Sequence, residues 1–351
     1  MSPSLPKAYK AVISPAPHQP FEVVERKLRD LQPAEVLIRV HASGICNSDH
    51  FVHEGSWPGL SYPLVPGHEV IGRIAAVGSE LKDDMRLKEG SLVGVGWNGG
   101  WCGRCEWCRK GQFSYCVKGE VTGFTRDGGH AEYMYAPETS VISVPEEALK
   151  DATYAELAPL FCAGTTVFDA IRHCTWAPGD ICLVQGIGGL GHLAVQMASR
   201  MGLKVIACSS GSAKRDLALS LGATEYLDSS ATDVPAYLQS LGGAVLVLCT
   251  APYAKHINSI LPAVAKDGTI MLVSAATDGK IEVDNLFLNM NRASLRGWSC
   301  RAAPDSEQMV KFSAEKGVKA LVQEFKIEDF EGAYQGVVAN QARFRNVVVF
   351  P

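Results

Sequence analysis

Four cysteines, Cys102, Cys105, Cys108 and Cys116, follow one another at spacings of three, three and eight and constrain this chain more than any other feature. Thiols that close in sequence can fold their loop around one tetrahedral Zn2+, because four thiolate sulfurs complete its coordination shell. A closed tetrathiolate leaves no open position for chemistry, so the metal expected here is structural. The total of 11 cysteines is odd, and several lie in apolar runs such as Ile181-Cys182-Leu183 and Val247-Leu248-Cys249. That usage suits reduced thiols in a reducing compartment better than a secreted disulfide framework. Zinc knuckles that bind nucleic acid normally bring local basic residues, whereas here Arg104, Arg109, Lys110 and Lys118 are interspersed with Glu106 and Glu120. With a net charge of −4 there is no electrostatic reason to expect a nucleic acid or an anionic membrane as partner.

The length of 351 residues exceeds the usual size of a single core and predicts about two domains. From Glu22 to about Val144 the chain reads as short strands rich in β-branched residues and punctuated by Gly and Pro, among them Glu35–Val40, Glu69–Val77, Leu92–Val95 and Ala131–Tyr135. This predicts a largely β domain, a compact barrel. After about Ala158 the texture alternates between strand and helix: Ile181–Gln185, Leu190–Met201, Lys204–Cys208, Ala213–Leu221, Ala244–Cys249, Ala254–Ala265 and Thr269–Val273. Such alternation predicts a doubly wound parallel sheet. The tail returns to isolated strands at Leu321–Phe325 and Asn346–Phe350, which are expected to pair with the first domain. The division is therefore 1–158 with 295–351, and 159–294. The opening residues lack an apolar run with a cleavage site, and no segment offers the roughly 20 apolar residues of a membrane span, so a cytosolic location is expected.

The strand Ile181–Gln185 runs straight into Gly186-Ile-Gly188-Gly189-Leu190-Gly191, which opens a helical pattern. Glycines there let the turn close and let backbone N–H groups approach a pyrophosphate. At the end of the next strand an acidic residue would bind the ribose hydroxyls of NAD and repel a 2′-phosphate. This chain instead reads Ser209-Ser210-Gly-Ser-Ala-Lys214-Arg215, with no carboxylate before Asp216. Hydroxyls and two cations predict NADP(H) over NAD(H); the plainer reading is that the serines cap a helix and Lys214 is solvated.

Two further motifs precede the cysteine lobe, Gly44-Ile-Cys46-Asn-Ser48-Asp49 and Gly67-His68-Glu69, and one follows it, Phe161-Cys162-Ala-Gly. A catalytic zinc takes three protein ligands and keeps one position open. Cys46, His68 and Cys162 are the expected three, Asp49 is expected to hold the second nitrogen of His68, and Glu69 is counted with the metal set as its support. Ser48 is expected to pass a proton between the substrate oxygen and the cofactor ribose.

In these motifs, together with Asp127-Gly-Gly-His130-Ala-Glu-Tyr133, the chain resembles over essentially its whole length the zinc-containing alcohol dehydrogenases of the medium-chain dehydrogenase/reductase superfamily. The resemblance implies a GroES-like barrel carrying catalysis, a Rossmann domain carrying the cofactor, and an active site in the cleft between them. It implies dimers or tetramers paired through the Rossmann sheet edge. It supports Cys46, His68 and Cys162 as ligands and Ser48 as proton relay, and it matches Lys214 with Ser209 and Ser210 to the NADPH-using, cinnamyl-alcohol-type branch. The chain departs from the family at Phe51, where many members place a histidine that finishes the proton path; His50 and His53 flank it.

Trp57 and Trp97 match positions that line the family's substrate cleft, and their rings favour primary alcohols and aldehydes, aromatic ones included, over bulky secondary alcohols. The expected reaction is reversible hydride transfer between the nicotinamide and a zinc-held alcohol or aldehyde. The nearest rival is reduction of an activated C=C bond on the same scaffold, in which parts of the zinc constellation are commonly lost. A rival of another class is a non-enzymatic zinc or nucleotide sensor.

Overall fold

The computed structural model describes residues 5–276 and 278–351, and its chain separates into two compact units, 1–165 with 300–351 and 166–299. Among the described residues no helix is long and apolar enough to cross a membrane.

The first unit is built around the eleven-residue strand Glu35–Ile45, whose inward positions are almost all buried. Along one edge it pairs antiparallel with Val70–Val77. Along the other it changes partner partway: residues 35–39 pair with Tyr133–Pro137, and residues 42–45 pair with the C-terminal strand Arg345–Val349. Register shifts between Leu37 and Ile38 and between Val40 and Ala42 mark where it bends. A bend lets one strand serve two neighbours on the same side, as closing a β domain on itself requires. Leu92–Val95 and Val141–Ser143 extend the sheet beyond Val70–Val77. Val36, Ile38, Val40, Val70, Ile74 and Val93 are buried together in its core, joined by Phe330, Tyr334 and Val348 from the C-terminal segment.

In the second unit six strands form one parallel sheet. Counting Ile181–Gln185 as the first, their spatial order is 3-2-1-4-5-6, the order of a doubly wound dinucleotide-binding sheet. The strands read as continuous apolar runs because helices cover both faces of such a sheet; Cys182, Leu183 and Val184 are fully buried, as are Leu246, Val247 and Leu248.

The helix expected over Ala254–Ala265 is shorter, Ala254–Ile260. Pro262 sits in the 3-10 turn Leu261–Ala263, and the next strand, Val264–Leu272, begins immediately after it. Proline has no N–H to continue the helical ladder, which accounts for the early stop.

At the first βα turn, Gly186 has φ +87°, which disfavours side chains. A Cβ on Gly191, the first residue of the helix Gly191–Met201, would run into the carbonyl oxygen of Gly186. One on Gly188 would meet nothing within 4 Å. Thr250 locks the turn from the neighbouring strand end by donating its hydroxyl to the carbonyls of Gln185 (2.9 Å) and Gly186 (2.8 Å). Gly191→Ala is therefore expected to lower the thermal midpoint, since overpacking typically costs about 1–3 kcal/mol, whereas Gly188→Ala leaves it unchanged. Calorimetry of the two variants side by side checks this.

Candidate metal centre and dinucleotide loop

Cys46 and His68 lie at the ends of paired strands, because Glu35–Ile45 delivers Cys46 and Val70–Val77 begins just after His68 and Glu69. Cys162 follows the 3-10 turn Ala158–Phe161, whose residues are all buried. The donor atoms of Cys46, His68, Glu69 and Cys162 converge to within 4.8 Å of one another. His68 is fully buried, yet neither ring nitrogen has a hydrogen-bond partner, and Glu69 Oε2 has none either. Buried polar atoms are normally satisfied, and leaving them unpaired costs roughly 1–3 kcal/mol each. Two thiols, an imidazole and a carboxylate left facing one another fit a zinc ion. The other oxygen of Glu69 accepts from Arg345 on the C-terminal strand, and Oε2 lies where a Cβ on Gly44 would be.

Electrostatics in this pocket favour the thiolate of Cys46. A hydrogen bond from the Cys162 thiol, opposed by burial and aided by His68, holds Cys46 well below its ordinary value. Cys162 is pushed well above by its hydrogen bonds with Cys300 and Cys46 and by burial. Burial pulls His68 down, but the sulfur of Cys46 and the carboxylates of Asp49 and Glu69 outweigh it and lift the imidazole to about 9. Burial raises Glu69 to about 7 against the opposing pull of Arg345.

Asp49 is fully buried. Its Oδ1 lies 3.6 Å from His68 Nδ1, too long for a hydrogen bond, while its Oδ2 accepts from the Cys46 backbone N–H (2.9 Å) and lies 3.3 Å from His130 Nε2. His130 is anchored in turn by the Ser43 hydroxyl at 2.8 Å from Nδ1. Ser48 precedes the helix Asp49–Glu54 without capping it, and its Oγ lies 3.6 Å from Cys46 Sγ. Trp97 stands edge-to-face against His68 at 4.9 Å between centroids, Trp57 packs against Trp97 at 5.4 Å, and the buried Phe124 backs both rings at 4.8 and 5.4 Å. Both tryptophans thus belong to an aromatic wall beside His68.

In the lobe, the sulfurs of Cys102, Cys105, Cys108 and Cys116 also lie within 4.8 Å of one another. Cys105 Sγ is 3.5 Å from Cys108 Sγ and 3.9 Å from Cys116 Sγ. Sulfurs around a tetrahedral zinc at about 2.3 Å are separated by about 3.8 Å. Backbone N–H groups already serve these sulfurs: those of Cys102 and Lys118 donate to Cys116 Sγ at 3.3 and 3.4 Å. Donation from the N–H groups of Cys108 and Val117 brings the Cys105 thiol down to about 6. Trp101 stacks on Phe113 at 4.5 Å beside the lobe.

In the second unit, Gly186, Gly188, Gly189 and Leu190 form the turn into the helix that Gly191 begins, and His192 Nδ1 approaches the carbonyl of Gly188 at 2.8 Å. Ser209 ends the strand Lys204–Ser209, Ser210 follows it exposed, and Lys214 immediately precedes the helix Arg215–Ser220. The sequence reading missed Asp228, which ends the adjacent strand beside Ser209 and accepts from Gly211 N–H at 2.7 Å and Ser230 Oγ at 2.6 Å. It also gave no role to Arg345, His130 or Cys300, whose thiol donates to the Cys162 carbonyl at 3.0 Å. His130 alone carried a signal, the Asp-Gly-Gly-His run.

Residues 32–146 match the family model for the alcohol dehydrogenase GroES-like domain, and residues 189–315 match that for zinc-binding dehydrogenase. Over 348 residues the chain is 37% identical to alcohol dehydrogenase patD of Penicillium expansum, covering 99% of each. Over 352 residues it is 34% identical to aldehyde reductase YahK of Escherichia coli strain K12, covering 97% of each. Among solved structures, the cinnamyl alcohol dehydrogenase SbCAD4 of Sorghum bicolor superposes with a TM-score of 0.86 at 28% identity, covering 98% of each chain. CAD of Helicobacter pylori, complexed with NADP(H), superposes with a TM-score of 0.84 at 26% identity over 97% of this chain and 98% of that one. The chain belongs to the zinc-type alcohol dehydrogenases of the medium-chain dehydrogenase/reductase superfamily, a family of GroES-like and Rossmann-like domains.

Proposed function

We propose that this enzyme is a zinc-dependent aldehyde reductase and primary alcohol dehydrogenase that prefers NADPH. The observation that carries the reading is His68, buried with two unpaired nitrogens between the thiols of Cys46 and Cys162 and faced by Trp97. Cys46, His68 and Cys162 would hold the catalytic metal, with Glu69 supporting it, and Cys102, Cys105, Cys108 and Cys116 would hold a structural one. When bound, zinc supplies Lewis acidity toward the substrate oxygen. The nicotinamide, when bound, gives or takes the hydride.

The chain's own side chains supply the rest. Ser48 Oγ, uncommitted to helix capping, is the group proposed to give the substrate oxygen its proton in reduction and to take it back in oxidation. Asp49, fixed by the Cys46 N–H and by His130, holds the turn that carries Cys46 and Ser48. Trp57 and Trp97 offer flat apolar faces to an aldehyde and keep water from the reacting carbon. The turn of Gly186, Gly188, Gly189, Leu190 and Gly191 would receive the pyrophosphate, and Ser209, Ser210 and Lys214 the 2′-phosphate. The CAD of Helicobacter pylori, complexed with NADP(H), lends this preference support. We assign catalysis to the first unit, 1–165 with 300–351, which holds Cys162 as well as Cys46 and His68, and cofactor binding to 166–299. A homodimer or homotetramer belongs to the same reading, favoured by the edge strand Ser294–Gly297 and the exposed Leu286 and Met290 on the preceding helix. Cytoplasmic aldehyde reduction is the proposed physiological direction.

Cinnamaldehyde offers a C=O and a C=C bond to the same hydride, so product analysis tests the reaction class. Cinnamyl alcohol is the expected product, and 3-phenylpropanal would overturn the reading in favour of C=C reduction. Stripping metal with a chelator should abolish turnover and added Zn2+ should restore it, while His68→Ala should remain inactive with zinc present. kcat/KM should be higher with NADPH than with NADH. Lys214→Ala should lower the NADPH value about 10- to 100-fold, the worth of one hydrogen bond to a charged group, with little change for NADH; equal losses for both would contradict the phosphate role.

A further inference from the structure

A third cluster of ligating side chains lies apart from both cysteine sites. His18 sits in the loop between the strands Ala8–Ile13 and Glu22–Lys27, and His53 and Glu54 end the helix Asp49–Glu54. Their donor atoms come within 4.8 Å of one another. His53 Nδ1 is 3.0 Å from Glu54 Oε1, and His18 Nδ1 is 3.4 Å from Glu54 Oε2. Ligands around a tetrahedral zinc at about 2.0–2.1 Å stand about 3.3 Å apart, so the carboxylate already spans the two imidazoles at near-ligand spacing.

The arrangement is held by contacts that do not involve the donor atoms. The His18 N–H donates to the His53 carbonyl at 2.6 Å, which ties the loop to the helix end. His53 is only 17% exposed and is packed between Phe21 (5.8 Å) and Tyr334 (5.6 Å). His50 stacks on His53, and its Nε2 lies 3.9 Å from Glu54 Oε1, at the edge of the cluster. His18 is 66% exposed, so an ion can reach the site from solvent and complete its shell with water.

We propose that His18, His53 and Glu54 form a third, exchangeable binding site for a divalent transition metal of the zinc type. Two imidazoles and one carboxylate are the donors that such ions select over Mg2+ or Ca2+. On binding at Nδ1, a neutral ring keeps its proton on Nε2, and an imidazolium releases one to water. With three protein donors and an open face, the site binds more weakly than the tetrathiolate lobe and exchanges its ion. Its occupancy would pin the loop to the C-terminal end of the helix whose first residue is Asp49.

The test uses the full chain with its metal content as purified. Equilibrium dialysis against graded ZnCl2, with metal counted by mass spectrometry, should show one further zinc per chain saturating in the micromolar range. His18→Ala and Glu54→Gln should each weaken that uptake at least about tenfold, since even outer partners of a metal ligand are worth 10- to 100-fold. Basal turnover without added zinc should be unchanged in both variants, which reports that they fold. Added zinc should also raise the thermal midpoint of the parent and not of the variants. Absence of the further equivalent, or uptake that both variants leave intact, would overturn the proposal.

Discussion

A buried charge pair holds the candidate metal centre together. Glu69 follows His68 directly, is fully buried, and is paired with Arg345 from the C-terminal strand. An uncompensated carboxylate at that depth would be strongly destabilising, on the order of 3–5 kcal/mol once its partner is removed. The pairing of Arg345–Val349 with residues 42–45 of the central strand brings that guanidinium to Glu69. The last strand of the chain is thus part of the site although it contributes no metal donor.

The two cysteine sites in this unit differ in what surrounds the sulfurs. In the lobe, backbone N–H groups lower the thiols of Cys102 and Cys105, while burial and the neighbouring cysteines raise Cys108 to about 12, and all four sulfurs converge on one point. In the buried pocket the thiols face a histidine and a paired carboxylate, with an aromatic wall on one side. That difference separates a site suited to holding a loop from one suited to substrate chemistry. The second unit contributes a βα turn with glycine where a side chain would meet backbone, at Gly186 and Gly191, and open space at Gly188, where a ligand can approach.

Much of this was legible because the informative residues are chemically distinctive and locally spaced. The four lobe cysteines, the Gly-His-Glu triplet and the glycine turn after a buried strand each announce themselves within a few positions. Arg345 could not be read that way: it lies 276 residues from Glu69, and nothing around it marks it as different from any other arginine in a strand. His130 stands in a visible motif, but its contact with Ser43 on the central strand, like that of Cys300 with the Cys162 carbonyl, joins positions far apart in sequence that no local pattern encodes. The short strand Glu225–Asp228 escaped because four residues carry too little periodicity, and with it went the carboxylate of Asp228 beside Ser209. Asp49 shows the limit within a recognised motif, since its carboxylate serves the Cys46 N–H and His130 more closely than His68.

X-ray absorption at the zinc edge tests the central claim most directly, because it counts sulfur around the metal without relying on turnover. Two zincs per chain, one held by four thiolates and one by Cys46 and Cys162 with His68, give six sulfurs over two metals. The account predicts a mean of about three sulfurs per zinc at about 2.3 Å together with imidazole scattering. A mean of four sulfurs with one zinc per chain and no imidazole would contradict it, by placing all the metal in the lobe.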